Sequence, residues 1–159
     1  MSKADYLLVV CLTIASIPMA SFKLGDFSLE LVPCFLVLFI FRDLKASLIG
    51  SLSYFIIALV NNFPLGIISN FSSAILIFVI LYIGAILLNK VNIVTCIGFV
   101  FISLCYILPF MIFLDTPFKE SIYLDTVGLS TVKTALNLGI TALASPLIIR
   151  YLKSKNVIS

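Results

Sequence analysis

Six apolar runs occupy most of this chain: Tyr6 to Phe22, Leu31 to Phe41, Ala46 to Val60, Leu65 to Leu88, Val94 to Leu114 and Leu129 to Leu152. Their central portions are nearly free of ionisable groups, and a water-soluble domain built from them could not cover its surface with polar atoms. Of 159 residues 62% are apolar and 11% charged, and the mean hydropathy is +1.27, so the solvent is lipid. A bilayer core takes about 20 apolar residues per helix. The expectation is an all-α integral membrane protein, a compact bundle of six transmembrane helices forming a single transmembrane domain over residues 1–159. Lys3 ahead of an apolar run also suits a cleavable signal peptide, but apolar segments continue to the end of the chain, so the first run is read as a helix. The second run is too short to cross about 30 Å alone. Either it extends back to Phe27 or its neighbours bury it.

Charge gives an independent reading, because cytoplasmic loops retain Lys and Arg. Six spans with both termini in the cytoplasm put Lys3, Arg42, Lys45, Lys90, Arg150, Lys153 and Lys155 inside, opposed only by Asp5 and Asp43, a balance of +5. The outside then holds Lys23, Lys119 and Lys133 against Asp26, Glu30, Asp115, Glu120 and Asp125, a balance of −2. The inner connections, Arg42 to Lys45 and Lys90 to Asn92, are tight. Two outer ones, Lys23 to Glu30 and Asp115 to Asp125, are longer, and outer loops are where a solute is met.

No enzyme site is apparent. The chain has no histidine, no GxSxG or HExxH, no Gly-rich phosphate loop and no carboxylate pair inside a span. Cys11, Cys34, Cys96 and Cys105 lie in apolar runs without CxxC spacing and read as small packing residues, so no metal and no cofactor is expected.

Four groups of residues stand out. Lys133 and Asn137 share a face near the outer start of the last span, where Lys133 either snorkels to headgroups or faces an outward cavity. Tyr54, Asn61, Asn62 and Asn70 frame the second outer turn, Asn61 to Pro64. The asparagines either cap helices and bond between them or, with flanking aromatics, line a neutral polar pocket. In the first outer loop, Asp26 or Ser28 either caps the second helix or helps to close such a pocket. On the first span, Cys11 and Ala15, and likewise Ser16 and Ala20, stand four apart, a pattern that lets another backbone approach, within the chain or from a partner subunit.

The order of these features resembles the substrate-binding S components of energy-coupling factor (ECF) vitamin transporters, six-helix membrane proteins of about this size, over nearly the whole chain. It is closest to the riboflavin-type group. Asp26-Phe-Ser28-Leu-Glu-Leu-Val-Pro33 is similar to the group's D-x-S-x-x-P with a longer spacer, and Gly66-Ile-Ile-Ser-Asn70-Phe71 to its G-E-x-x-N-F. Cys11 and Ala15 look like a variant of the docking AxxxA, and Ser130-Thr-Val-Lys133 falls where the group has N-x-x-K. The chain departs from the pattern at Ile67, at Ser130, and at Ser53 and Tyr54, where a Lys-Asn pair is expected. The resemblance implies a subunit in a bacterial cell membrane that binds a water-soluble vitamin or precursor, with a riboflavin-like heteroaromatic as first guess. It implies Asp26, Ser28, Tyr54, Asn61, Asn62, Asn70, Lys133 and Asn137 near the ligand. Cys11, Ala15, Ser16 and Ala20 would meet a transmembrane coupling subunit that works with two ATPase subunits, and nucleic acid has no part. The rivals are a membrane scaffold resembling the rod-shape-determining proteins and a stand-alone secondary transporter.

Overall fold

Apolar backbone without water to bond must satisfy its N–H and C=O groups within its own segment, which makes each run a helix. The computed structural model describes residues 3–21, 23–24 and 27–154. Six helical rods follow one another: α1 Lys3–Ser21, α2 Val32–Phe41, α3 Leu44–Val60, α4 Ile67–Lys90, α5 Ile93–Leu114 and α6 Glu120–Ser154. Three of them, α4, α5 and α6, are long and apolar enough to cross a membrane. Between α1 and α2 a two-residue antiparallel ladder pairs Lys23 with Ser28 and Leu24 with Phe27, an element the all-helical expectation did not include.

α2 spans only 10 residues, about 15 Å of rise, because its surroundings do the covering. Phe35, Leu38, Val37 and Cys34 are buried and meet Ile49 of α3, Ile77 and Leu81 of α4 and Val100 of α5 in one core. Of the two explanations for a short second run, burial by neighbours is the one the fold shows. Gly50 on α3 allows this packing, since a Cβ there would collide with the Leu81 side chain and lie 3.3 Å from that of Ile77.

α5 is not uniform. Ser103–Ile107 winds as a π-turn and Met111–Leu114 as a 3-10 turn, with Pro109 between them. Proline lacks an N–H and crowds the carbonyl four residues back, and a wider turn just before it relieves that crowding. α6 begins at Glu120 rather than at Leu129, because its first turns are helical despite low hydropathy, and Glu120 lies where the helix dipole favours an acid. Glu120 and Asp125, read from sequence as loop residues, are therefore helical.

The bundle has two unlike ends. At the basic end, Asp43 caps α3 by accepting from the Lys45 N–H at 2.9 Å, and Asn92 caps α5 by accepting from the Thr95 N–H at 2.7 Å. Asn89 donates to the Arg42 carbonyl at 2.7 Å and ties the two tight turns together. At the opposite end the caps come from far away. Leu31 holds the N-cap position of α2 without a side-chain cap of its own, and its N–H donates to Asn137 Oδ1 of α6 at 3.1 Å. Likewise α4 opens on Gly66, and the Ser69 N–H donates to Asp115 Oδ2 at 2.8 Å.

Candidate functional site

α6 carries its polar residues inward. Thr134, Asn137 and Thr141 are buried, whereas Leu143 and Leu147 are exposed, an arrangement that suits a lipid-facing helix. Hydroxyls and amides on this stripe use the helix's own carbonyls: Thr141 Oγ1 donates to the Asn137 carbonyl at 2.7 Å, and Asn137 Nδ2 to that of Lys133 at 2.8 Å. One turn above Asn137, the Lys133 ammonium forms an ion pair with Glu30, 103 residues away in sequence. The side chains of Lys133 and Glu30 are 31% and 11% exposed. Together these contacts fasten the Glu30–Leu31 corner onto α6.

The pair borders a cavity of two adjoining lobes that share Tyr54, Leu108, Ser130 and Lys133. The smaller lobe, about 50 Å³, adds Glu30 and Thr134 over an apolar floor of Ile77 and Leu104. The larger, about 180 Å³, adds the hydroxyls of Ser73 and Thr126 and an apolar wall of Leu65, Pro109 and Ile112. The distorted end of α5 thus forms one side of the cavity. Tyr54 is held from behind, where its hydroxyl donates to Asn70 Oδ1 at 3.5 Å while Asn70 Nδ2 donates to the Gly66 carbonyl at 2.6 Å.

Of the residues singled out from sequence, Tyr54 and Lys133 line the cavity, Asn70 supports Tyr54, and Asn137 supports the corner beside Glu30. Asn61 and Asn62 lie elsewhere, as the terminator of α3. The Asn62 N–H donates to the Leu59 carbonyl and the Phe63 N–H to that of Ala58, with Asn62 left-handed at φ 56°, which is a Schellman end. Asn61 Nδ2 bonds the Ile57 carbonyl at 2.9 Å, and Asn61 borders a separate groove of about 380 Å³ with Ile17 and Ala20 of α1. Asp26 lies outside the described residues, and Ser28 is placed as backbone in the two-residue ladder. On α1, Cys11 is exposed and Ala15 half-buried, whereas Ser16 is buried with its hydroxyl on the Leu12 carbonyl at 2.9 Å, so the two small pairs face different ways.

Glu30, Ser73 and Thr126 are cavity residues that sequence reasoning did not single out. Glu30 sits in the connection between α1 and α2 with nothing local to mark it. Pro109 was the available signal for the cavity wall, because a lone proline within an apolar helical run marks a distortion. Among the described residues no group of three or more His, Cys, Asp or Glu side chains is placed to hold a metal ion. The arrangement offers one cation, one anion and several hydroxyls over an apolar wall, which is the make-up of a small-solute site. No protein-family model, no curated protein and no solved structure matches this chain.

Proposed function

We propose that the chain is the solute-capturing membrane subunit of an ECF-type importer. The observation that carries this reading is the convergence of Tyr54 and Lys133, with Asn70 behind Tyr54, on one cavity at the end opposite the basic turns. Six crossings with both termini in the cytoplasm put Arg42, Lys45 and Lys90 inside by the positive-inside rule and open the cavity to the outside of a bacterial cell membrane. The solute is a water-soluble vitamin or, better suited to the volume, a precursor. Drug-sized ligands fill about 300–1,000 Å³, and the larger lobe is about 180 Å³, so a riboflavin-like ring system needs the site to widen.

The chain itself hydrolyses nothing. A transmembrane coupling subunit docks on the Cys11–Ala15 face of α1, and two ATPase subunits drive release inward. A thermal-shift screen of the detergent-purified chain against B vitamins and their precursors tests the reading, since a ligand that binds only the folded state raises apparent stability. A saturable shift with one compound is expected. Silence across the panel from a demonstrably folded sample moves the weight to the scaffold reading or to a solute outside the vitamin set.

A further inference from the structure

The charges in the cavity constrain the solute more tightly than its volume does. Lys133 and Glu30 stand side by side, and their joint field on a distant single charge nearly cancels. A solute with one charge is drawn to one partner and repelled by the other, whereas a solute carrying both, laid antiparallel to the pair, is attracted by each. Lys133 has three donor hydrogens, so one ammonium serves Glu30 and a solute carboxylate together.

The lobes divide accordingly. Glu30 lines only the smaller lobe, whose volume of about 50 Å³ is that of one to two waters at about 30 Å³ each, enough for an ammonium group. No carboxylate lines the larger lobe, which offers Lys133, the Ser130 and Thr126 hydroxyls, and the apolar surface of Leu65, Pro109 and Ile112. Its volume of about 180 Å³ corresponds to about six waters.

We infer that the cavity takes a small zwitterion of α-amino-acid type, its ammonium beside Glu30, its carboxylate on Lys133 and its apolar side chain against the α5 wall. This rests on the solute-capture reading above and names the chemical class of what is captured. Binding inserts the solute between or beside the paired side chains. Because the pair also fastens the Glu30–Leu31 corner to α6, occupancy is felt at the start of α2.

The test uses the full chain in detergent with L-alanine, L-valine, L-leucine and L-phenylalanine, each beside its N-acetyl and its amide derivative, which remove the positive and the negative charge in turn. At least one amino acid is expected to bind saturably, at least tenfold tighter than both of its derivatives. Lys133→Met and Glu30→Gln should each weaken that binding tenfold or more, and the conservative Lys133→Arg and Glu30→Asp should retain most of it. A derivative that binds as tightly as its parent overturns the assignment, as does undiminished affinity in folded Lys133→Met and Glu30→Gln. If the amino acids are silent and a vitamin lacking an ammonium binds, the zwitterion assignment fails and solute capture stands. Silence of both panels from folded protein removes both.

Discussion

The two ends of the bundle close their helices by different means. At the basic end, α3 and α5 are capped by Asp43 and Asn92, each reaching its own first turn. At the opposite end, α2 and α4 borrow their acceptors from Asn137 and Asp115, 106 and 46 positions away in sequence. A local cap forms with the turn it belongs to, because almost no chain has to be ordered to bring the partners together. A remote cap forms only when the helices have packed, since the long intervening loop must close first. The basic end is therefore a set of local decisions and the opposite end a product of the tertiary structure. A clasp between distant elements also opens without unwinding a helix, which suits the end that holds the cavity.

The sharpest way to break the remote end is Gly66→Ala. Gly66 has φ 89° and ψ 156°, a region essentially closed to residues with a Cβ. A Cβ there would also lie 2.8 Å from Asp115 Cγ, displacing the carboxylate that caps α4. Backbone strain and the lost cap together are expected to cost about 3 kcal/mol, read as reduced unfolding free energy in mixed micelles. A loss below about 1 kcal/mol would mean that the approach of Asp115 to Gly66 is not part of the fold's stability.

Asn137→Ala comes next. It removes the acceptor of the Leu31 N–H in buried surroundings and a donor to the Lys133 carbonyl in half-buried ones, at an expected cost of about 2 kcal/mol. Hydrogen exchange sharpens the comparison. Amides in the first turn of α2 should exchange faster in this variant while those at the start of α3 keep their protection. Equal acceleration at both ends would show that the ends are not independent.

These two positions also show what a single sequence reveals. Apolar runs marked all six helices, since helix formation in apolar surroundings follows from composition. Asp43 and Asn92 sit directly before the helices they cap, so those ends were equally open to reading. Asn137 was noticed because it shares a face with Lys133, yet nothing adjacent in the chain points to Leu31 or Glu30. Asp115 was assigned to a loop, and only the packing of α5 beside α4 gives it a helix end to cap. The cavity was half legible for the same reason. Tyr54, Asn70 and Lys133 are polar groups in apolar runs and attract attention, whereas Glu30, Ser73 and Thr126 acquire meaning only from what lies across from them. The early start of α6 escaped because its first turns mix Glu120, Ser121, Asp125 and Thr126 with Ile122 and Leu124 and so carry too little hydropathy to mark an apolar run.

At the basic end the expected effects are smaller. Asp43→Ala and Asn92→Ala should each cost about 1 kcal/mol, the usual value of an N-cap, and Asp43→Ser or Asn92→Asp should recover most of it because any short acceptor at that position serves. Asn137→Asp should recover less, since the carboxylate keeps the acceptor for the Leu31 N–H but loses the donor to the Lys133 carbonyl and places a charge in buried surroundings. Asp115→Glu should also recover less, since a longer side chain must meet its partner across a fixed packing distance. If the local caps prove as costly as Asn137→Ala and as hard to replace, the contrast between the two ends fails.

The smallest effect is expected at Asn62→Gly. Asn62 lies at the cavity end of the bundle, but its structural part is local: it takes the left-handed position that ends α3, where asparagine is tolerated and glycine carries no Cβ penalty. Glycine gains from that freedom and loses from the larger entropy of its unfolded chain, so the variant should stay within about 0.5 kcal/mol of the parent. Asn62→Val should cost about 1 kcal/mol or more, because a β-branched side chain is a poor occupant of a positive φ. Solute affinity should be unchanged in Asn62→Gly, since the amide does not line the cavity. A tenfold loss of affinity without a loss of stability would move Asn62 from the terminator into the site, and would show that the turn between α3 and α4 reaches the solute when it is bound.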